Sequence, residues 1–406
     1  FKTFNKQEHD SDVPPRKIQR IVEDKNGYIW VKTIDRKLYV FNKVTECFHA
    51  VYDDMKNYSE NIQVIKLQNT AEGDVLLLTK DKNLLLAGVD EKGQVTIKIL
   101  FDSRNEINKH DYTLKHHVLC ETEEYISWIG TDYKVAAVHK GSELASRPAD
   151  FITSKINSGD KDSFTSFFED GRKVWVGDRA GIFYSIDVRT GLVNRYVLSE
   201  IKGAISNLLV TPAGYVYLSV AGQGTYEYDL AERRLQKINT EMNDAMVTHA
   251  FIDQYDKIWF HENEKALIYY DPLNHTAKRF PFTMFGKITT LYSEDAGERG
   301  LFFLSPAGEA WLFDREHAEM VYINKLKQLS NDRANQQFYH LMLDNDGVLW
   351  LSSADEGVYC MNFPKKQFNL LSLSPQSVGQ ENYATGVRAP VSYTHLRAHE
   401  TCADLV

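Results

Sequence analysis

Six times along the 406 residues a large apolar residue inside a short β-rich run is followed twelve positions later by Asp or Asn. The pairs are Trp30 with Asn42, Trp175 with Asp187, Tyr217 with Asp229, Trp259 with Asp271, Phe302 with Asp314, and Trp350 with Asn362; Leu76 and Trp128 mark two weaker copies. Successive anchors lie 42 to 52 residues apart, a repeat length that holds four short strands and their turns. A chain built this way cannot bury any one copy alone, so each copy must cover its neighbour.

Within a copy the residues spell strands. Gly27-Tyr28-Ile29-Trp30-Val31, Lys173-Val174-Trp175-Val176-Gly177 and Gly347-Val348-Leu349-Trp350-Leu351 are apolar at consecutive positions, so both faces of that strand seek burial. The run after it, as in Leu38-Tyr39-Val40-Phe41 or Leu267-Ile268-Tyr269-Tyr270, has the β-branched and aromatic content of a packed, pleated surface. A shorter, more polar run follows, as in Cys47-Phe48-His49-Ala50-Val51, Val193-Asn194-Arg195-Tyr196, Leu235-Gln236-Lys237-Ile238 and Phe368-Asn369-Leu370-Leu371, which suits an exposed edge. The first run of each copy, Ile18-x-x-Ile21-x-x-Asp24 or Phe338-x-x-Leu341-x-x-Asp344, has helical spacing. Its shortness and its Asp-x-x-Gly turn argue instead for a strand carrying a local bulge.

The expected fold class is therefore all-β, a β-propeller of four-stranded antiparallel blades. About seven blades form the ring; since there are eight repeat units over residues 1–373, the last one or two open a second propeller. Closure as eight blades is the alternative. Residues 1–4 read as an outer strand that either pairs onto a terminal blade or remains from a lost one. Residues 374–406 leave the pattern, and Ser392-Tyr393-Thr394-His395-Leu396-Arg397-Ala398-His399-Glu400 resembles translated sequencing-adapter read-through. From about residue 385 the tail is expected to pack against nothing, and the chain to be an internal fragment of a longer protein.

Charge narrows the function. With 47 basic against 56 acidic residues, a net charge of −9 and no Lys/Arg block, binding of nucleic acid through phosphate neutralisation is not expected. Nor does any run of eighteen apolar residues offer a membrane span. Cys47, Cys120 and Cys360 fall in strand-like runs without C-x-x-C spacing, the pattern of buried apolar thiols rather than metal ligands. No metal site and no cofactor is expected.

The motif Ile-x-x-Ile-x-x-Asp-x-x-Gly-x-hydrophobic-Trp-hydrophobic, seen over 18–33, 164–178 and 340–353, with Trp128-Ile129-Gly130-Thr131 matching its core, is similar to the two-component regulator propeller repeat. The resemblance covers roughly residues 1–373. It implies the periplasmic sensor region of a Bacteroidota hybrid two-component histidine kinase, whose full-length form holds a second propeller, a homodimer partner and a membrane helix downstream. It further implies an oligosaccharide ligand released from glycans and control of polysaccharide-utilisation genes. Repeat two, with Leu76 in the anchor position, and the long third repeat depart from the pattern.

An enzyme is the weaker reading. The Asp-Gly turns resemble the Asp-box of sialidase-like propellers, and glycosidases and lyases use related rings. However, glycoside hydrolysis needs two carboxylates flanking one bond, whereas Asp24, Asp170, Asp253 and Asp344 recur once per copy, the mark of a turn-stabilising role. No catalytic residues are assigned. A non-catalytic protein-interaction ring is the other alternative. Because repeats fix the scaffold, recognition is sought where copies differ, in the loops between second and third strands. Tyr133, Arg179, Gln223, His261 and Asn263 are the expected contributors to an oligosaccharide or partner surface.

Overall fold

A computed structural model describes residues 2–4, 17–56, 58, 63–103, 114–130, 135–141, 149–151, 164–238, 247–262, 265–285, 292–297, 300–325, 338–353 and 357–362. The expectations for the tail, including Cys402, and for an outer strand at 368–371 lie outside these residues.

Among them, eight antiparallel sheets of four strands each are present. Blades 1 to 7 run in chain order from the hub outward, over residues 18–50, 64–101, 114–151, 164–197, 205–237, 247–281 and 292–325. Blade 8 consists of Phe338–Leu343, Val348–Ser353 and Gly357–Asn362, with Lys2–Phe4 as its outermost strand. Thr3 lies opposite Tyr359 and Phe4 opposite Val358. The ring thus has eight blades, which corrects the expectation of about seven and the start of a second propeller: the eighth repeat lacks nothing, because the chain's beginning completes it.

The core is distributed over eight apolar clusters, one at each junction between blades. Trp30 and Val40 of blade 1 meet Leu77 and Leu85 of blade 2, and Leu78 and Phe101 meet Trp128 and Ala136 of blade 3. Val135 meets Val174, Trp175 meets Leu218, Tyr217 meets Phe260 and Tyr270, and Trp259 meets Phe303 and Phe313. Phe302 packs with Leu351 and Tyr359. The last cluster joins Trp350 and Val358 of blade 8 to Ile18, Ile29 and Phe41 of blade 1, so the circle closes. This is why second strands such as Ile29–Thr33 and Val75–Thr79 are buried at every position: each is covered on both faces by a neighbouring sheet.

The helical spacing of the innermost strands has the expected cause. Their pairing with the second strand slips at one place in seven blades, between Ile18 and Arg20, Val64 and Lys66, Leu114 and Leu119, Phe164 and Ser166, Ile205 and Asn207, Val247 and His249, and Phe338 and His340. An extra residue shifts the inward face by one, turning a period of two into an apparent three.

Asn42, Asp187, Asp229, Asp271 and Asp314, each twelve residues beyond its anchor, cap the turn between third and fourth strands. Asn42 Oδ1 accepts the N–H groups of Val44 and Thr45 at 2.8 and 3.1 Å, Asp187 those of Arg189 and Thr190 at 3.0 Å, and Asp229 those of Ala231 and Glu232 at 2.9 and 3.0 Å. The earlier Asp of each motif serves the first turn with one oxygen and the anchor with the other. Asp344 Oδ1 accepts from Asp346 and Val348 N–H, while Oδ2 accepts from Trp350 Nε1 at 2.8 Å. Gly347 follows at φ 80°, a conformation that disfavours a side chain. Asp24, Asp170 and Asp253 bind Trp30, Trp175 and Trp259 in the same way, at 2.8, 2.7 and 3.2 Å.

Candidate functional site

In six blades the residue just past the bulge on the innermost strand can be compared from copy to copy. At matching register stand Arg20, Lys66, Ser166, Asn207, His249 and His340, opposite Lys32, Leu78, Gly177, Ser219, His261 and Ser352 of the second strands. Several polar groups here tie one blade to the next. Lys32 Nζ donates to Gln19 Oε1 and to the Ile65 carbonyl, both at 2.6 Å; Thr165 Oγ1 donates to the Ile205 carbonyl and Asn207 Nδ2 to the Val247 carbonyl, each at 2.7 Å.

The remaining charge is unevenly placed. Arg20 is exposed at its surface, yet burial lowers its pKa against the pull of Glu294. Burial lowers the Lys66 pKa, with Arg20 pushing the same way and Cys120 and Glu169 opposing. Lys32 falls to about 8 through burial and the nearby Arg36 and Arg20. Among the described residues neither Arg20 nor Lys66 has an ion-pair partner within 4 Å, although Glu294 and Glu169 are near enough to act on them electrostatically. Across the hub, burial raises the Glu294 carboxyl to about 7 against the pull of the Leu343 N–H and Arg20. Glu169 also rises to about 7, chiefly by burial. Burial drives His340 down to about 3, and its Nδ1 has no hydrogen-bond partner.

Glu294 gives a pH prediction. Its raised pKa means the folded chain keeps a proton that the unfolded chain releases between about pH 4.5 and 7, so stability falls as pH rises through that window. Glu294→Gln is expected to stabilise the protein on the order of 1–3 kcal/mol near pH 8 and by almost nothing near pH 5. Thermal melts at the two pH values measure this; a gain independent of pH would refute the assignment.

The residues singled out from the sequence scatter. Tyr133 and Asn263 lie outside the described residues. Arg179 is exposed at its turn. Gln223 is taken up by the scaffold: its Oε1 accepts the Lys202 N–H at 2.8 Å and its Nε2 donates to the Glu200 carbonyl at 3.2 Å. His261 is placed in the strand Ile258–Glu262 rather than in a loop, 8% exposed. Burial lowers its pKa to about 4, with His249 contributing. Of the cysteines, Cys120 is buried as expected, whereas Cys47 is exposed on an outer strand. Arg20 and Lys66 went unmarked because they occupy the polar slots of the Ile-x-x-Ile pattern; their variation from copy to copy was the available signal.

Acidic oxygens of Glu23, Asp344 and Asp346 lie close enough to suit a metal ion. A protein cation already stands there. Lys43 Nζ is 2.7 Å from Glu23, 3.2 Å from Asp344 and 2.5 Å from Asp346. Burial works against its charge, but the bonds to Asp346 and Glu23 more than offset this and its pKa is raised. The cluster is a clamp between blades 8 and 1. Lys140 bridges Glu72 and Glu121 at 2.7 and 2.5 Å between blades 2 and 3, and Arg315 bridges Asp253 and Asp295 at 2.7 and 2.8 Å between blades 6 and 7.

The described sheets define an eight-bladed β-propeller whose innermost strands carry polar residues, Arg20 and Lys66 among them. The sequence matches no family model and no curated protein. Among solved structures the fold is similar to the computationally designed Ika8 protein, at a TM-score of 0.55 and 12% identity over 89% of this chain and 99% of that one. BamB from Moraxella catarrhalis is similar at 0.51 and 11% identity over 87% and 95%. The extracellular domain of a putative one-component system from B. thetaiotaomicron matches at 0.46 and 13% identity, over 85% of this chain and 52% of that one; this chain spans about half its length. No helix among the described residues is long and apolar enough to cross a membrane.

Proposed function

We propose that this propeller is the periplasmic ligand-sensing region of a hybrid two-component histidine kinase, binding a glycan-derived oligosaccharide at its hub and signalling to polysaccharide-utilisation genes. The observation that carries the reading is the pair Arg20 and Lys66. They break the repeat at positions where other copies carry Ser166, Asn207, His249 and His340, and among the described residues neither has an ion-pair partner within 4 Å. Such cations favour a sugar bearing carboxylate or sulfate groups, held by charge-assisted hydrogen bonds. Arg179, exposed at its turn, extends the recognition surface. Binding would shift the equilibrium between two arrangements of the receptor by no more than the difference in affinity for them.

Calorimetric titration with acidic and neutral oligosaccharides tests this. Acidic members should bind, and Arg20→Ala or Lys66→Ala should each weaken binding about tenfold. Binding that ignores both substitutions, or none at all, would remove the hub as the site. Val321, Tyr322 and Ile323, exposed side by side on the outer strand of blade 7, favour a second reading in which the ring also docks a protein partner.

A further inference from the structure

Three junctions are closed by a clamp cation, whereas Val188, Leu230 and Pro272 stand at its position in blades 4, 5 and 6. Lys43, Lys140 and Arg315 each come from the start of the turn between third and fourth strands. Each reaches an acid at the end of its own innermost strand and another on the preceding blade's first turn. At the junction of blades 5 and 6 the corresponding residue is Pro272, directly after the capping Asp271 as Lys43 follows Asn42. There, between the same three turns, lies a cavity of about 320 Å³ lined by Tyr215, Tyr217, Tyr255, Pro272 and Glu227.

Glu227 is the unusual wall. It lies opposite the anchor Tyr217, where the other seven blades carry Val40, Leu86, Ala136, Ser185, Tyr269, Leu312 and Cys360. It is 6% exposed. Tyr217 donates its hydroxyl to Oε2 at 2.7 Å, and among the described residues no cation pairs with the carboxylate. The cavity's own Lys257 is held by Asp271 at 2.7 Å, while Asp256 adds negative charge at the mouth. A buried carboxylate beside tyrosine rings is a setting that stabilises an ammonium group through charge-assisted hydrogen bonding and cation–π attraction.

We propose that this cavity is a binding site for a small alkylammonium ligand, its charge against Glu227 and its hydrocarbon stem along Tyr215, Tyr255 and Pro272. The site is separate from the hub and does not depend on the sensing function. The clamps hold their cations between the same turns on acids whose counterparts here are Ile252 and the uncharged turn 211–214, so that Glu227 supplies the carboxylate from a different wall.

The test is calorimetric titration of the purified chain with n-butylammonium, n-butanol and butyrate. The amine is expected to bind saturably and in preference to both controls. Glu227→Gln, which keeps an acceptor for Tyr217, should weaken the amine at least about tenfold. Pro272→Lys, which installs a lysine where blade 1 has Lys43, should abolish binding while the melting temperature holds or rises. Melting curves for each variant separate a lost site from a lost fold. Equal uptake of butanol and amine, amine binding that survives both substitutions, or no amine binding by the unmodified chain would overturn the proposal.

Discussion

Lys43→Met is expected to destabilise the ring by about 3–5 kcal/mol, the cost of removing one partner from a buried ionic cluster. Glu23 and Asp344 have side chains 5% and 0% exposed, so water cannot replace the ammonium that balances them. Asn345 N–H, which donates to Glu23 Oε2 at 2.7 Å, holds one oxygen but supplies no full charge. Lys37→Met is the control: its pair with Asp35 is 3.5 Å long with both side chains more than half exposed, and its loss should change stability by only about 0.5 kcal/mol. Denaturant unfolding of the two variants decides the matter. Equal losses would mean that blades 8 and 1 are joined by apolar packing alone.

Trp259→Ala should cost a similar 3–5 kcal/mol, by a different mechanism: a large aromatic is removed and a cavity remains. Trp259 is fully buried. Its ring lies 4.6 Å from Phe313, 5.1 Å from Tyr269 and 5.3 Å from Phe303, so residues of two blades lose contacts together. Trp259→Phe separates packing from hydrogen bonding. It keeps most of the aromatic volume but leaves Asp253 without the indole donor, and should cost roughly 1 kcal/mol. A small loss for the alanine variant would show that the junction collapses into the space.

What the sequence made legible follows from what repetition makes visible. Trp30, Trp175, Trp259 and Trp350 could be aligned because each does the same job, and the bulge was readable because it recurs in seven of the eight copies. The number of blades was hidden. Completing blade 8 with Lys2–Phe4 depends on pairing two stretches at opposite ends of the described chain, for which no local pattern exists. His261 and Glu262 read as loop because His261-Glu262-Asn263-Glu264-Lys265 is polar throughout, yet the strand runs through Glu262. Arg279 makes that possible, donating to the buried Glu262 carboxylate at 2.9 Å. The two cations were invisible for the opposite reason: without the neighbouring blades, Arg20 between Ile18 and Ile21 and Lys66 between Val64 and Leu67 look like ordinary solvated residues.

The seam between blades 8 and 1 bears on how the chain reaches this state. Seven junctions join sheets adjacent in sequence and need only short excursions to form. The eighth links groups such as Asn345 and Glu23, 322 positions apart. The entropy lost in such a meeting grows only logarithmically with distance along the chain, but contacts of this range form slowly. Assembly is thus ordered in time: an open arc of stacked sheets comes first, and the circle shuts when Lys43 finds the acids of the last sheet.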